Sequence, residues 1–342
     1  PEEINLLNLD EHMWMWSRGV GFHHAGLAPI VKEFVEYLFL NRFIKYLFAT
    51  ETLALGINMP AKSIFIDRLH KYDGIKTRPL TQSEFLQLSG RAGRRGIDDK
   101  GFAFLSYDKS INREWYSNLF TLKPSDLISA FSVNYSSILN LLNIYTMEES
   151  IDLLKKSFFA YQNMYKTDKL ETLFKAKYGV LNELGFLDSS KGLVLAQTYR
   201  DNLIPAIYLF EKKKNNGLEF KLMYISSGIT NERAEFAISD KFDNLLSSFQ
   251  SSLELVNKTE VANGVGKPIK LNFSWFSVFY EYMKTGNIEY VMSKFGLNIG
   301  DFIKVAKEAS ELSKKLSLIY GDKEFEEINN IFNNNLIQKT MT

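Results

Sequence analysis

The segment with the clearest potential for chemistry is Gln87 to Gly96, which reads Q-L-S-G-R-A-G-R-R-G. Arg91, Arg94 and Arg95 carry planar guanidinium groups that suit phosphate oxygens, and the glycines between them let the backbone approach a ligand closely. From Arg68 to Lys100, eight Lys or Arg residues stand against four acidic ones, so the basic charge is local. The pattern predicts a phosphate-handling site, with a solvated basic loop as the alternative.

A second polar segment lies upstream, where Phe48 to Ala61 reads F-A-T-E-T-L-A-L-G-I-N-M-P-A. Its hydroxyls (Thr50, Thr52), glycine (Gly56) and amide (Asn58) follow the carboxyl end of a predicted strand. Ligands of parallel α/β sheets bind at that end of the strands. We expect a ligand contact here, with a polar turn leading into a helix as the alternative.

Two adjacent histidines, His23 and His24, lie in the sequence G-F-H-H-A-G-L. Adjacent side chains diverge, and only His12 and His70 remain to complete a metal site, so we predict no metal here. Hydrogen bonding to a phosphodiester backbone and structural packing both remain open.

Alternating helix and strand patterns surround these segments. We predict strands at Ile44 to Ala49, Ser63 to Ile66 and Gly101 to Ser106, and a helix from Pro29, whose place suits a first turn. This alternation predicts a parallel α/β layer up to about residue 122.

The pattern changes after Pro124. Helical spacing dominates, and Lys175 to Ala196 reads as a helix, a turn at Gly185 and an apolar run, Leu193 to Ala196, taken as a strand. That order is compatible with a winged helix. From Leu203 onward we predict an all-α domain that contains a long amphipathic helix from Asp301 to Leu316.

Composition limits the possible classes of protein. The 342 residues are 45% hydrophobic and 24% charged, which is typical of globular proteins and predicts two or three domains. The net charge of +1 gives no whole-chain signal for binding to a polyanion, and the absence of cysteine excludes disulfides and thiolate metal sites.

We see no membrane span or signal peptide and expect a cytoplasmic protein. The chain begins at Pro1 without methionine, so we expect a fragment or a processed product.

Four motifs occur in fixed order: G-F-H-H-A-G-L-A-P-I-V-K-E, F-A-T-E-T-L-A-L-G-I-N-M-P-A, Y-D-G followed by R-P-L, and Q-L-S-G-R-A-G-R-R-G. Together they resemble the second RecA-like lobe of superfamily-two DExH helicases, specifically the Ski-like RNA helicases. The resemblance implies three domains: an α/β RecA-like lobe, incomplete at its N-terminus (1–122), a winged-helix module (123–202) and a helical domain with a ratchet-like helix (203–342).

The resemblance also implies roles for individual residues. Arg94 corresponds to the arginine finger that reaches the γ-phosphate of ATP, with Arg91 beside it and Gln87 contacting nucleotide and water. The implied ATP contacts are Gly56, Asn58 and Gly90. The implied RNA contacts are His23, His24, Thr50, Thr52, Arg68, Lys304 and Lys307. Arg68 to Leu80 corresponds to the strand-separating hairpin, with Asp73-Gly74 as a plausible turn.

The sequence contains neither the P-loop pattern nor a D-E-x-H string. We therefore expect ATP and Mg²⁺ to be bound mainly by a first RecA-like lobe, covalently attached or separate, and the chain alone to be inactive. With that lobe, the resemblance implies ATP-dependent 3′-to-5′ translocation and unwinding of RNA. The alternatives are a non-catalytic RNA-binding or regulatory subunit derived from a truncated helicase, and a DNA helicase of the same superfamily.

Overall fold

The computed structural model describes most of the chain and divides it into two compact units, Pro1–Leu127 and Ile128–Thr342. The described residues are 9–24, 26–50, 61–72, 77–94, 96–121, 126–129, 131–163, 167–212, 217–229, 236–266 and 268–333.

The first unit combines helices with short strands. Its helices are α1 (Leu9–Trp16), α2 (Pro29–Leu40), α3 (Gln82–Ser89) and α4 (Arg113–Thr121). Its strands are β1 (Val20–His23), β2 (Tyr46–Ala49), β3 (Ser63–Ile66), β4 (His70–Tyr72), β5 (Thr77–Pro79) and β6 (Phe102–Leu105). The three strands predicted from apolar runs are confirmed as β2, β3 and β6.

The strands pair in twos. β1 pairs with β2 and β3 pairs with β6, both in parallel, whereas β4 and β5 form an antiparallel hairpin. The two parallel pairs support the predicted α/β layer. Beneath β3 and β6, Ile66, Phe85 and Leu119 belong to one small buried cluster, which holds α3 and α4 against this sheet.

Helix α2 begins at Pro29, as predicted, because its fixed φ and missing N–H suit the first helical turn. Val31 and Val35 of this helix are buried. Phe34 is 46% exposed and contacts Trp16 and Tyr37, so its ring packs at the surface.

Every secondary-structure element described in the second unit is a helix. Its helices are α5 (Tyr135–Leu142), α6 (Met147–Lys155), α7 (Phe158–Gln162), α8 (Thr167–Glu183), α9 (Ser190–Thr198), α10 (Ile204–Lys212), α11 (Leu218–Ser227), α12 (Asp243–Ala262), α13 (Phe276–Thr285), α14 (Ile288–Phe295), α15 (Ile299–Tyr320) and α16 (Lys323–Asn330). One hydrophobic core joins these helices. The predicted amphipathic helix is confirmed as α15, and its apolar stripe is buried: Phe302, Val305, Ala306, Ala309, Leu312 and Leu316.

The strand predicted at Leu193 to Ala196 is wrong, because these residues lie inside helix α9. The Ser189 hydroxyl accepts a hydrogen bond from the Gly192 N–H at 3.2 Å and starts the helix, as N-caps do. A short buried apolar run has no periodicity that separates strand from helix. No strand occurs among the described residues between 126 and 202, so the winged helix stays a prediction. Helices on both sides of residue 202 contribute to the single core, and the predicted domain division there also stays a prediction.

No helix among the described residues is long and apolar enough to cross a membrane.

Candidate nucleotide and RNA sites

The arginine-rich segment is positioned by helix α3. Thr81 caps this helix: its hydroxyl accepts from the Glu84 N–H at 3.3 Å, and the Glu84 carboxylate accepts from the Thr81 N–H at 2.7 Å. This reciprocal capping box fixes where the helix begins. Helix α3 ends at Ser89, with Gly90 as its cap, and the arginines follow in the next turn.

Backbone hydrogen bonds tie this segment to the amino end of β3. The Ala61 N–H donates to the Arg91 carbonyl at 3.0 Å, and the Gly93 N–H donates to the Ala61 carbonyl at 2.8 Å. Gly93 has φ +90° and lies so close to Gly101, just before β6, that a side chain on Gly93 would crowd the Gly101 backbone. The segment therefore runs across the amino ends of β3 and β6.

Arg94 is held in one orientation by Asp98. Its Nε and Nη2 donate to the two Asp98 oxygens at 2.7 Å each, and its backbone N–H donates to the same carboxylate at 3.0 Å. The Arg94 guanidinium lowers the pKa of the Asp98 carboxyl well below its usual range, and Asp98 raises the pKa of Arg94. Both groups therefore stay charged at neutral pH.

Four of the predicted nucleotide residues lie in the last turn of α3 or just after it. Gln87 and Gly90 are exposed there, whereas Arg91 and Arg94 are partly buried. Two arginines, an exposed amide and a small residue at one point can bind an anionic phosphoryl group and a water. Sequence analysis did not single out Asp98 as a functional residue, although its i+4 spacing from Arg94 was a readable signal.

Glu84 also anchors the hairpin of β4 and β5 to α3. Arg78 donates from Nη1 and Nη2 to its two carboxylate oxygens at 2.8 and 3.1 Å, and Lys71 Nζ lies 3.4 Å away. The hydrogen bonds from Arg78 lower the pKa of Glu84 far below its usual range. Three of the eight cations counted from Arg68 to Lys100 are thus in ion pairs, so the free basic charge is smaller than the count suggests.

The two histidines have different surroundings. His23 is buried, and its Nε2 lies 2.9 Å from Glu36 of α2, so its side chain ties β1 to that helix. His24 is partly exposed, stacks on Phe22 and accepts the Gly26 N–H on Nδ1 at 3.2 Å. The Nε2 atom of His23 thus has a structural role and His24 remains accessible, and an RNA contact by either histidine stays a prediction.

Two further predicted RNA contacts lie at carboxyl ends of strands. The Thr50 N–H, just after β2, donates to the His23 carbonyl at the end of β1 at 3.1 Å. Arg68 follows β3 and is exposed. Arg68 and the arginine segment are therefore at opposite ends of β3, which at four residues spans about 13 Å.

The remaining predicted RNA contacts lie in the second unit, on α15. Lys304 is exposed and Lys307 is partly exposed, both opposite the buried stripe. A surface helix neutralised by i,i+4 ion pairs would instead pair Lys304 with Glu308 and Glu311 with Lys315. Glu308 accepts from Arg200 at 2.6 Å, and among the described residues neither Lys304 nor Lys307 forms an ion pair.

Four residues singled out in the two polar segments lie outside the described residues: Thr52, Gly56, Asn58 and Arg95. The proposed turn at Asp73-Gly74 also lies outside them, although the strands that it would join, β4 and β5, do pair.

The chain is similar in sequence to several helicases. An uncharacterized helicase of Schizosaccharomyces pombe is 44% identical over 163 residues, or 48% of the chain and 16% of that relative. The ATP-dependent RNA helicase mtr4 of the same organism is 42% identical over 170 residues, or 50% of the chain and 15% of the relative. Human Superkiller complex protein 2 is 43% identical over 143 residues, or 42% of the chain and 11% of the relative. The matches thus span about half of the chain and less than a fifth of each relative. No protein-family model matches the chain.

Proposed function

We propose that the chain is the C-terminal half of a Ski-like DExH RNA helicase, an ATP-dependent enzyme that translocates 3′ to 5′ and unwinds RNA. One observation carries the proposal: the turn with Arg91 and Arg94 is hydrogen-bonded to the amino end of β3, and Gln87 and Gly90 lie just before it at the end of α3. The relatives at 40–44% identity include proteins named as ATP-dependent and exosome RNA helicases.

Arg94 is proposed as the arginine finger. Asp98 occupies the Nε hydrogen and one Nη2 hydrogen, which leaves the Nη1 hydrogens and the second Nη2 hydrogen for phosphate oxygens. An arginine in this role stabilises charge on the transferred phosphoryl group, typically by a factor of about 10³ to 10⁵ in rate. Arg91 would help to stabilise the negative charge on the phosphoryl group, and the exposed Gln87 amide would orient the attacking water.

ATP with Mg²⁺ would be held mainly by a first RecA-like lobe. The arginines fit the phosphates, but among the described residues no group of three or more His, Cys, Asp or Glu side chains could hold a metal ion. When bound, Mg²⁺ would neutralise phosphate charge during transfer. The proposed part of this chain is to close the site with Arg94, Arg91 and Gln87.

RNA would follow a different edge of the first unit. His24, Thr50 and Arg68 lie at carboxyl ends of strands, whereas the arginine segment crosses the amino ends of β3 and β6. A motor needs this separation, because nucleotide and RNA must bind at once and move relative to each other. In the second unit, Lys304 and Lys307 would contact phosphates, and each neutralised phosphate would steepen the salt dependence of binding.

The test uses the chain joined to an ATP-binding lobe of a Ski-like helicase. Arg94→Ala should abolish RNA-stimulated ATP hydrolysis and leave RNA affinity nearly unchanged. Arg113→Ala, an exposed arginine at the start of α4, is the matched control and should leave both unchanged. Normal turnover by the Arg94 variant would refute the assignment. The chain alone should not hydrolyse ATP, and stimulation by DNA instead of RNA would favour the DNA helicase, since only RNA offers a 2′-hydroxyl.

A further inference from the structure

Tyr199 combines an unusual backbone conformation with high exposure. It ends helix α9 in the left-handed region, at φ +55°, where residues with a Cβ are uncommon. Its side chain is not packed away, because the residue is 67% exposed. Among the residues that the structure describes, its hydroxyl has no hydrogen-bond partner and its ring stacks on no other ring. A glycine would take this conformation without strain, so the fold gains nothing visible from a tyrosine here.

Hydrogen bonds to helix α15 flank Tyr199 in the sequence on both sides. Two residues before it, the Gln197 carbonyl accepts from Lys315 Nζ at 3.3 Å. One residue after it, Arg200 donates to Glu308 at 2.6 Å and also to the Gly228 carbonyl. Glu308 and Lys315 are about two helical turns apart. Tyr199 is therefore held alongside α15 between two anchors.

The face of α15 beside these anchors is basic. Lys304, Lys314 and Lys315 are exposed and Lys307 is partly exposed, against one exposed acid, Glu311. Glu308 adds no net negative charge, because Arg200 neutralises it. Besides Tyr199, the described residues of α9 and α15 expose two large apolar side chains, Leu193 and Leu318. Lysines therefore outnumber apolar side chains on this face of α15, whereas a contiguous apolar patch would suit a protein partner.

An exposed ring beside cations is the usual composition of a surface for single-stranded nucleic acid. Bases stack on aromatic rings whatever their identity, and lysines along the groove neutralise the phosphates. A ring held by a fixed backbone loses little freedom when a base stacks on it.

We propose that Tyr199 is a stacking residue: an unpaired base of single-stranded RNA lies on its ring while the adjoining phosphates follow the lysines of α15. This inference rests on the proposed RNA-binding function of α15 and adds to it a residue of α9.

The experiment measures binding of a short fluorescent single-stranded oligoribonucleotide to the whole chain by anisotropy, at low salt. Tyr199→Gly should weaken binding by about tenfold or more, as loss of one base–aromatic stack does. The same variant should melt at a higher temperature than the parent chain, because glycine suits φ +55°. Loss of affinity in a more stable protein would exclude misfolding as its cause. Tyr199→Phe, which keeps the ring, should bind like the parent.

Two controls isolate the base. Tyr161→Ala removes a ring that is 72% exposed on α7 and should leave affinity unchanged. A strand of the same length with abasic sugars should bind the parent chain and the Tyr199→Gly variant equally.

The outcomes separate the two proposals. If the parent chain binds no RNA, the proposed function and this inference fail together. If Lys304→Ala with Lys307→Ala weakens binding but Tyr199→Gly does not, only the stacking role is refuted. If Tyr199→Gly weakens binding of the abasic strand as much as that of RNA, the ring does not act by stacking on a base.

Discussion

Arg94 and Asp98 form a two-pronged ion pair in which each carboxylate oxygen accepts one guanidinium N–H at 2.7 Å. The Asp98 side chain is only 6% exposed, and the Arg94 backbone N–H adds a third hydrogen bond to it. All three donors of this carboxylate thus belong to one residue. Asp98 positions Arg94 before any ligand arrives, so the proposed finger need not be ordered during the reaction.

We predict that Asp98→Asn lowers kcat of the enzyme joined to its ATP-binding lobe by up to about 100-fold, because a neutral amide orients the guanidinium less firmly. The KM for RNA should stay unchanged. Steady-state ATPase measurements check both. Asp99→Asn, the exposed neighbour, is the matched control and should behave like the parent. An unchanged kcat for Asp98→Asn would show that Arg94 is positioned by other contacts.

A second prediction concerns Gly192, in the first turn of α9. Glycine-to-alanine changes inside helices usually stabilise by about 1 kcal/mol. Here a Cβ would overlap the Phe186 carbonyl oxygen, so Gly192→Ala should instead destabilise by about 1–3 kcal/mol. Gly266→Ala, with no atom near the added carbon, is the control. Urea unfolding measures both, and a Gly192 variant as stable as the parent would contradict the close contact.

The elements predicted correctly from the sequence are those that depend on residues close together along the chain. The strands β2, β3 and β6, the start of α2 at Pro29 and the buried stripe of α15 all follow from local apolar patterns, whereas the phosphate site at the arginine segment stays a prediction. The helix at Leu193–Ala196 was missed because its apolar run is short. The close approach of Gly192, in the first turn of that helix, to the Phe186 carbonyl depends on the fold and not on local sequence. The pair of Arg200 with Glu308 joins residues 108 positions apart, and no spacing rule reveals it.

A third prediction concerns Lys221, a lysine whose side chain is 6% exposed. Its Nζ donates to Asp322 at 2.8 Å and also binds Glu324. Asp322 additionally caps α16 by accepting the Glu324 N–H at 2.9 Å. Asp322→Ala should therefore cost about 3 kcal/mol or more, since it removes a cap and leaves a buried ammonium with one partner.

Lys221→Met should cost only about 1 kcal/mol, because it replaces the buried cation by an apolar chain of similar size and leaves carboxylates that water reaches. The double variant should be more stable than the sum of the two single losses implies. Chemical unfolding of the four proteins forms the cycle. Strictly additive losses would show that Lys221 and Asp322 do not interact energetically.

The last prediction concerns pH and Glu171 of α8. Lys155 of α6 and Lys175 one turn along α8 each lie 2.7 Å from one of its oxygens. Hydrogen bonds from Lys155 and then from Lys175 lower the pKa of Glu171 from 4.5 to about 2. The unfolded chain therefore binds this proton more readily than the folded chain does. The two ion pairs thus stabilise the fold above pH 4.5, and that stabilisation is lost as the pH falls from 4.5 towards 2.

Glu171→Gln should lose less free energy of unfolding across this window than the parent, measured by urea unfolding at several pH values. Lys155→Met removes the first of the two cations and should raise the pKa of Glu171, which narrows the window. If the parent and Glu171→Gln lost stability in parallel between pH 4.5 and 2, the ion pairs would contribute nothing to acid stability.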